Sequence, residues 1–214
     1  ANGVGQRLCG RLGHRGGGDD ERERDVQNAA HGGIVSAPPA SMHRLRDHKT
    51  LGIVYGVTAG GFMTVGFLLM LLFRWQLAWP GQPIAIATAI FGETNAPGGI
   101  LLPEFYYQLV GMHGSVMIFL AVVPLATGAF GSYLVPLQVG ASGLAFPRLS
   151  VAGYLTYLAA GLLMTASFAL PGGAANSGWT SYPPLSVIAS SGQTAWLIGI
   201  LLLAEPDMGA FMVI

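Results

Sequence analysis

The sequence predicts an all-α fold, a polytopic bundle of about four membrane-crossing helices, and three observations carry that prediction. Of 214 residues, 52% are hydrophobic and 9% charged, whereas an ordinary soluble domain has about a quarter of its residues charged. The charges are unevenly placed: most lie between Arg7 and Lys49, and from residue 50 onward only Arg74, Glu93, Glu104, Arg148, Glu205 and Asp207 remain. Four apolar stretches, about 51–73, 106–136, 150–170 and 193–214, each approach the roughly 20 residues that a helix needs to cross a bilayer. Strands could cross only as a closed barrel, and these stretches lack the two-residue alternation of barrel strands.

Residues 1–45 are rich in Gly and Arg, contain the run Asp19-Asp-Glu-Arg-Glu-Arg-Asp25 and show no apolar period. Such a composition predicts a disordered or non-native polar segment ahead of a membrane region over 46–214. The chain starts on Ala rather than Met and stops on Ile214 within an apolar run, which we read as a fragment. Zero formal net charge argues against nucleic acid as a partner, since a duplex binder needs a basic face to displace counterions. Cys9, the sole cysteine, cannot form an internal disulfide.

The first span begins after Asp47, a suitable N-cap for a helix, and His48 is expected to stay in water. Arg44, Arg46 and Lys49 precede this span, Arg148 lies between spans two and three, and the connections 75–105 and 171–192 have no Lys or Arg. The distribution places the amino terminus inside. Spans one and three then run outward, with Arg74 at the outer end of span one. Gly60, Gly61, Gly66, Gly111, Gly114, Gly128 and Gly131 predict close helix packing, since small residues let backbones approach in a membrane.

Span two carries His113, the only histidine of the apolar region, within Leu109-Val-Gly-Met-His-Gly-Ser-Val-Met-Ile-Phe-Leu-Ala-Val-Val-Pro124. An ionisable side chain in hydrocarbon is expensive and marks a candidate functional site. A neutral imidazole there can bind haem iron or another metal, relay protons, or hydrogen-bond a neighbouring helix. Gly111 and Gly114 beside it would clear room for a flat macrocycle or permit close helix contact, and the sequence leaves both readings open. Tyr106 and Trp179 fall on the same side of the bundle, as functional aromatics or as an interfacial belt.

Several segments carry a more specific likeness. Asp47-His-Lys-Thr-Leu-Gly-Ile-Val-Tyr55, Arg74-Trp-Gln-Leu-Ala-Trp-Pro-Gly81 and Tyr106-Tyr-Gln-Leu-Val-Gly-Met-His-Gly114 resemble the opening of subunit I of the haem-copper oxidases. The likeness continues through Met117-Ile-Phe119, Pro124, Gly128-Ala-Phe-Gly-Ser-Tyr-Leu-Val-Pro-Leu137, Ala145-Phe-Pro-Arg148 and Gly178-Trp-Thr-Ser-Tyr-Pro-Pro-Leu-Ser186, so that it covers about residues 46–203 in order. It implies the first four of roughly twelve helices of the catalytic subunit of a bacterial inner-membrane terminal oxidase. It implies that His113 is an axial ligand of a low-spin haem, of the a type, with the opposite ligand on a later helix. Arg74 would bond a haem substituent, and Tyr106 and Trp179 would lie near the propionates. The second haem and copper would be held outside this chain, which then contains no catalytic residues of its own. The implied partners are membrane lipid, the remaining helices, other oxidase subunits, and cytochrome c or quinol as electron donor.

Departures accompany the likeness. One family route for proton uptake starts at an aspartate in Gly-Ala-Pro-Asp-Met-Ala-Phe-Pro-Arg, where this chain reads Gly140-Ala-Ser-Gly-Leu-Ala-Phe-Pro-Arg148, with Gly143 in the aspartate's place. Ser132 and Ser150 stand where that route has asparagines. The fourth span ends in Leu203-Ala-Glu-Pro-Asp-Met-Gly-Ala-Phe-Met212, which places Glu205 and Asp207 in or near hydrocarbon. A nitric oxide reductase-like branch of the superfamily, or a transporter using His113 as a proton relay, are the rival readings.

Overall fold

A computed structural model describes residues 45–188 and 191–213, all within one packed unit. Helix α1 spans His48–Ala78. A short helix α2, Ala87–Asn95, interrupts the first connection. Helix α3 spans Pro103–Val139, α4 spans Pro147–Ala166 and α5 spans Ser191–Val213. Among the described residues, α1, α3 and the stretch Pro147–Ala169 are long and apolar enough to cross a membrane, and the apolar part of α5 covers Ser191–Ala204. The expected segment 1–45 falls, apart from Leu45, outside the described residues.

The starts of the three long apolar helices have local causes. At α1, the Asp47 side chain accepts from the Thr50 amide and hydroxyl, both at 3.1 Å, which satisfies one of the amides left orphaned at a helix start. Helices α3 and α4 begin on Pro103 and Pro147, whose missing N–H would have been unpaired there in any case and whose fixed φ suits the first turn. At the end of α3, Gly140 adopts φ 73, the left-handed cap that glycine takes without steric cost.

The buried face of α1 is His48, Leu51, Gly52, Tyr55, Ala59, Phe62, Gly66 and Leu69, a stripe at helical period turned toward α3 and α4. His48 therefore departs from expectation. It is 6% exposed rather than in water, because it shares the face of Leu51, Gly52 and Tyr55.

Helix α3 changes pitch along its length. It is α-helical over Pro103–Ser115, widens to π geometry over Val116–Val122 and Pro124–Gly131, and returns to α over Ser132–Val139. Pro124 has no N–H to offer the Leu120 carbonyl, and its ring crowds the preceding turn. The Tyr157 hydroxyl of α4 donates to that carbonyl at 2.7 Å. A neighbouring helix thus satisfies a backbone group that the proline frees, as a membrane interior requires.

Tyr157 also anchors an aromatic cluster, stacked on Tyr55 at 5.4 Å and edge-on to Phe62 at 5.9 Å. Glycines face those rings. A Cβ on Gly128 would fall 2.5 Å from the Tyr55 ring, and one on Gly161 would overlap Phe62. Close packing through glycine therefore holds at Gly66, Gly111 and Gly128, but not at Gly60 or Gly61, where an added Cβ would meet nothing. Those two sit off the buried stripe of α1.

Candidate functional site

His113 lies on α3, about 15 Å from its first residue at 1.5 Å per residue, and packs against α1. Its Nδ1 is 2.8 Å from the Gly66 carbonyl oxygen. A carbonyl can only accept, so Nδ1 carries the proton and, in the neutral ring, Nε2 keeps its lone pair. This arrangement, with one ring nitrogen tied to a backbone carbonyl and the other left basic, is how a metal-binding histidine is oriented. Met117 occupies the other side of Gly66, with Sδ 2.8 Å from where a Cβ would stand.

Phe73 holds the ring from the same helix of contacts. Its centroid is 5.6 Å from that of His113 and 5.9 Å from that of Tyr106, both edge-on. Tyr106 lies two turns before His113 on the same face of α3, so one α1 phenylalanine braces both. Trp179 comes from the loop after α4. Its Cδ1 lies at ordinary contact distance, 3.6 Å, from a Cβ built on Gly114, and its ring is 6.2 Å from Phe119. Gly111 serves close packing: its Cβ would stand 3.2 Å from the Gly178 backbone, so the loop bearing Trp179 rests directly on α3.

Arg74, next to Phe73 near the end of α1, is exposed and makes no ion pair or hydrogen bond among the described residues. The structure thus brings His113, Tyr106 and Trp179 to one end of the bundle around Phe73, Phe119, Gly111 and Gly114. Arg74 joins that end as a free guanidinium. Glu205 and Asp207 fall within α5, which is helical through Val213, and only their backbone is described.

Two buried glutamines fix the loop. Gln108 of α3 donates through Nε2 to the Gly172 carbonyl and accepts from the Ala174 amide, each at 3.0 Å. Gln193 of α5 accepts from the Ser177 hydroxyl at 2.7 Å and donates to Ser181 at 3.0 Å. Sequence reading missed both, although the logic that singled out His113 applies to any polar side chain in an apolar run. The Gly66 carbonyl left no side-chain signal at all.

Where the inner proton route was expected to differ, the structure shows open space. A Cβ on Gly143 would meet nothing, and the Ser150 hydroxyl bonds the Phe146 carbonyl of its own helix at 3.1 Å.

Comparison with known proteins shows the family to which the chain is similar. The profile of the family described as cytochrome c and quinol oxidase polypeptide I matches residues 50–213. The chain is 42% identical over 163 residues to cytochrome c oxidase subunit 1 of Thermostichus vulcanus, covering 76% of this chain and 26% of that relative. It is 40% identical over 157 residues to a probable cytochrome c oxidase subunit 1-beta of Nocardia farcinica, covering 72% and 24%. Against an alternative cytochrome c oxidase subunit 1 of Bradyrhizobium diazoefficiens the identity is 34% over 157 residues, covering 73% and 24%. The chain spans about a quarter of the length of these curated relatives.

Proposed function

This chain belongs to the cytochrome c and quinol oxidase polypeptide I family, and on that premise we propose that it forms the low-spin haem side of the catalytic subunit of a respiratory terminal oxidase. In this reading His113 would hold the haem iron through Nε2. The observation that carries it is the Nδ1 contact with the Gly66 carbonyl at 2.8 Å, which fixes the ring and its tautomer and leaves a basic nitrogen directed away from α1. The residues present fit a flat, largely apolar group: Phe73, Phe119 and Trp179 offer aromatic walls, and Gly114 adds no side chain beside the ligand.

A bound haem supplies a one-electron carrier between the donor, cytochrome c or quinol, and a haem-copper centre at which oxygen is reduced to water. The residues of this chain bind and orient. Arg74 has its guanidinium donors free for a polar haem substituent, and such a charge-assisted bond is strong where water is scarce. Tyr106, braced by Phe73, and Trp179, whose loop is held through Gln108 and Gln193, would bind the polar edge of the group. The second haem and copper take their ligands from parts of the relatives' length that this chain does not span.

The family resemblance and the charge distribution support an inner-membrane protein with its amino terminus cytoplasmic and the Arg74 end outside. Protons come from the inside by a route other than one starting at residue 143, because glycine cannot exchange a proton. The test is a His113→Ala substitution in the full-length subunit, read by a reduced-minus-oxidised spectrum of the membranes. We expect the low-spin haem band to disappear; a band of undiminished intensity would overturn the ligand assignment.

A further inference from the structure

The ring of His113 is aimed by two constraints. One is the bond to Gly66 on the α1 side. The other is the course of the α3 backbone, which passes from α to π geometry between Ser115 and Val116, immediately beyond the histidine. At that junction the Val116 amide is shared between the Met112 and His113 carbonyls.

Ser115, 1% exposed, and Trp196, 4% exposed, meet there. The Trp196 Nε1–H donates to Ser115 Oγ at 2.9 Å, and Ser115 Oγ donates to the Gly111 carbonyl at 3.0 Å. The indole nitrogen can only donate. Ser115 must therefore accept from it, and its single proton has one remaining use, the Gly111 carbonyl. A serine that bonds back to the preceding turn bends a helix, and here the tryptophan prevents that hydroxyl from turning away. The relay runs from α5 to the turn Gly111–Ser115, which contains His113 and carries the Trp179 loop on Gly111.

We propose that Trp196, acting through Ser115, is a positioning residue for His113, holding the α-to-π junction of α3 so that Nε2 keeps its aim. The inference rests on the reading of His113 as a haem ligand. Ligand orientation and the surrounding hydrogen bonds tune a haem's electronic state, so the relay is visible in the haem's own signature.

The test uses the assembled, haem-loaded oxidase in membranes, with Trp196→Phe, Ser115→Ala and the double variant. The readouts are the optical band of the low-spin haem, its paramagnetic resonance signal and its midpoint potential. Each single variant is expected to shift all three in the same direction, and the double variant to shift them no further than the larger single. Wild-type signatures in both single variants would overturn the proposal, as would shifts that add in the double, since these would mark independent contacts. Should Trp196→Phe fail to assemble, Ser115→Ala decides alone, because it removes one oxygen atom. His113→Ala separates the two levels of the argument: retention of its low-spin haem would refute the ligand reading, whereas its loss alongside unshifted relay variants would refute only the relay.

Discussion

The two ends of the helix bundle are held by different means. At the end bearing His113 and Trp179, the loop after α4 is tied to α3 by Gln108 and to α5 by Gln193 through four hydrogen bonds of 2.7–3.0 Å. Glycines there lie against backbone or amide groups: Gly111 on Gly178, and Gly173 on the Gln108 amide. At the opposite end, the loop 140–146 joins α3 to α4, and a Cβ on either Gly140 or Gly143 would meet nothing. Buried amides that bridge a loop to two helices fix its position within tenths of an ångström, which a ligand site demands. A loop without such bridges tolerates the exchange of its side chains, and Gly143, where the resemblance expects a departure from the family's proton route, lies in it.

Alanine at one glycine on each side gives the sharpest contrast. Gly173 has φ 77, and its Cβ would overlap the Gln108 amide. Gly173→Ala therefore combines backbone strain of about 1–3 kcal/mol with overpacking of about 1–3 kcal/mol. We expect a loss of roughly 2–6 kcal/mol in the unfolding free energy of the assembled protein, together with a weakened low-spin haem band. Gly143→Ala, with open space and no left-handed φ, should remain within about 0.5 kcal/mol of the parent. Equal effects at the two positions would erase the distinction between the ends.

Gln108→Leu comes next in size. It keeps the apolar bulk but leaves the buried Ala174 amide and the Gly172 carbonyl without their partner, at about 1–3 kcal/mol for a stranded buried group. The loop 171–188 should then become open to limited proteolysis, whereas Gln138→Leu, on an exposed position near the other end of α3, should leave the digestion pattern unchanged. Protection of 171–188 in Gln108→Leu would mean that Gln193 suffices to hold the loop.

The Gly143 end can be probed by gain rather than loss. Gly143→Asp has room for its side chain, so it should assemble with unchanged stability. Combined with Ser132→Asn and Ser150→Asn, it should raise proton uptake from the inner side in vesicles driven by electron donor. The same proton yield per electron with and without the three substitutions would show that residue 143 is not where this protein's route differs.

The first three spans were readable because bilayer thickness imposes a length that composition alone reveals, and α1, α3 and α4 begin and end within a few residues of the apolar stretches. The fourth stretch is helical as α5, but among the described residues its apolar part, Ser191–Ala204, is shorter than a span. Asp47 was readable because a cap is a local event. His113 was readable because its burial is costly. Helix α2 was not, since Ala87–Asn95 is too short and too mixed to stand out from a loop. The π stretches of α3 were not either: Pro124 signals a disturbance, but its form depends on Tyr157, which lies on another helix. His48 was misjudged for a related reason, because charged neighbours in sequence say nothing of the face on which a residue falls.

The smallest effect concerns the Asp47 cap at the Gly143 end, where local bonds rather than bridging amides do the holding. The Thr50 amide, aided by its hydroxyl and by nearby His48 and Lys49, holds the Asp47 carboxyl below the usual carboxylate range. A group whose pKa is depressed in the folded state stabilises it above the unfolded pKa, and that contribution is lost as pH falls through the folded value. Protection of the Thr50 amide, measured by hydrogen exchange and corrected for the intrinsic rate, should stay level from neutral pH down through the ordinary carboxylate range and decline only beneath it. Asp47→Asn should retain most of the protection without the pH dependence, since asparagine caps nearly as well, and Asp47→Ala should lose about 1 kcal/mol of helix-end stability. A decline already under way within the ordinary range would mean that the carboxylate is not held by Thr50, while the Ala174 amide at the His113 end, which bonds the uncharged Gln108 side chain, should show no change over the same interval.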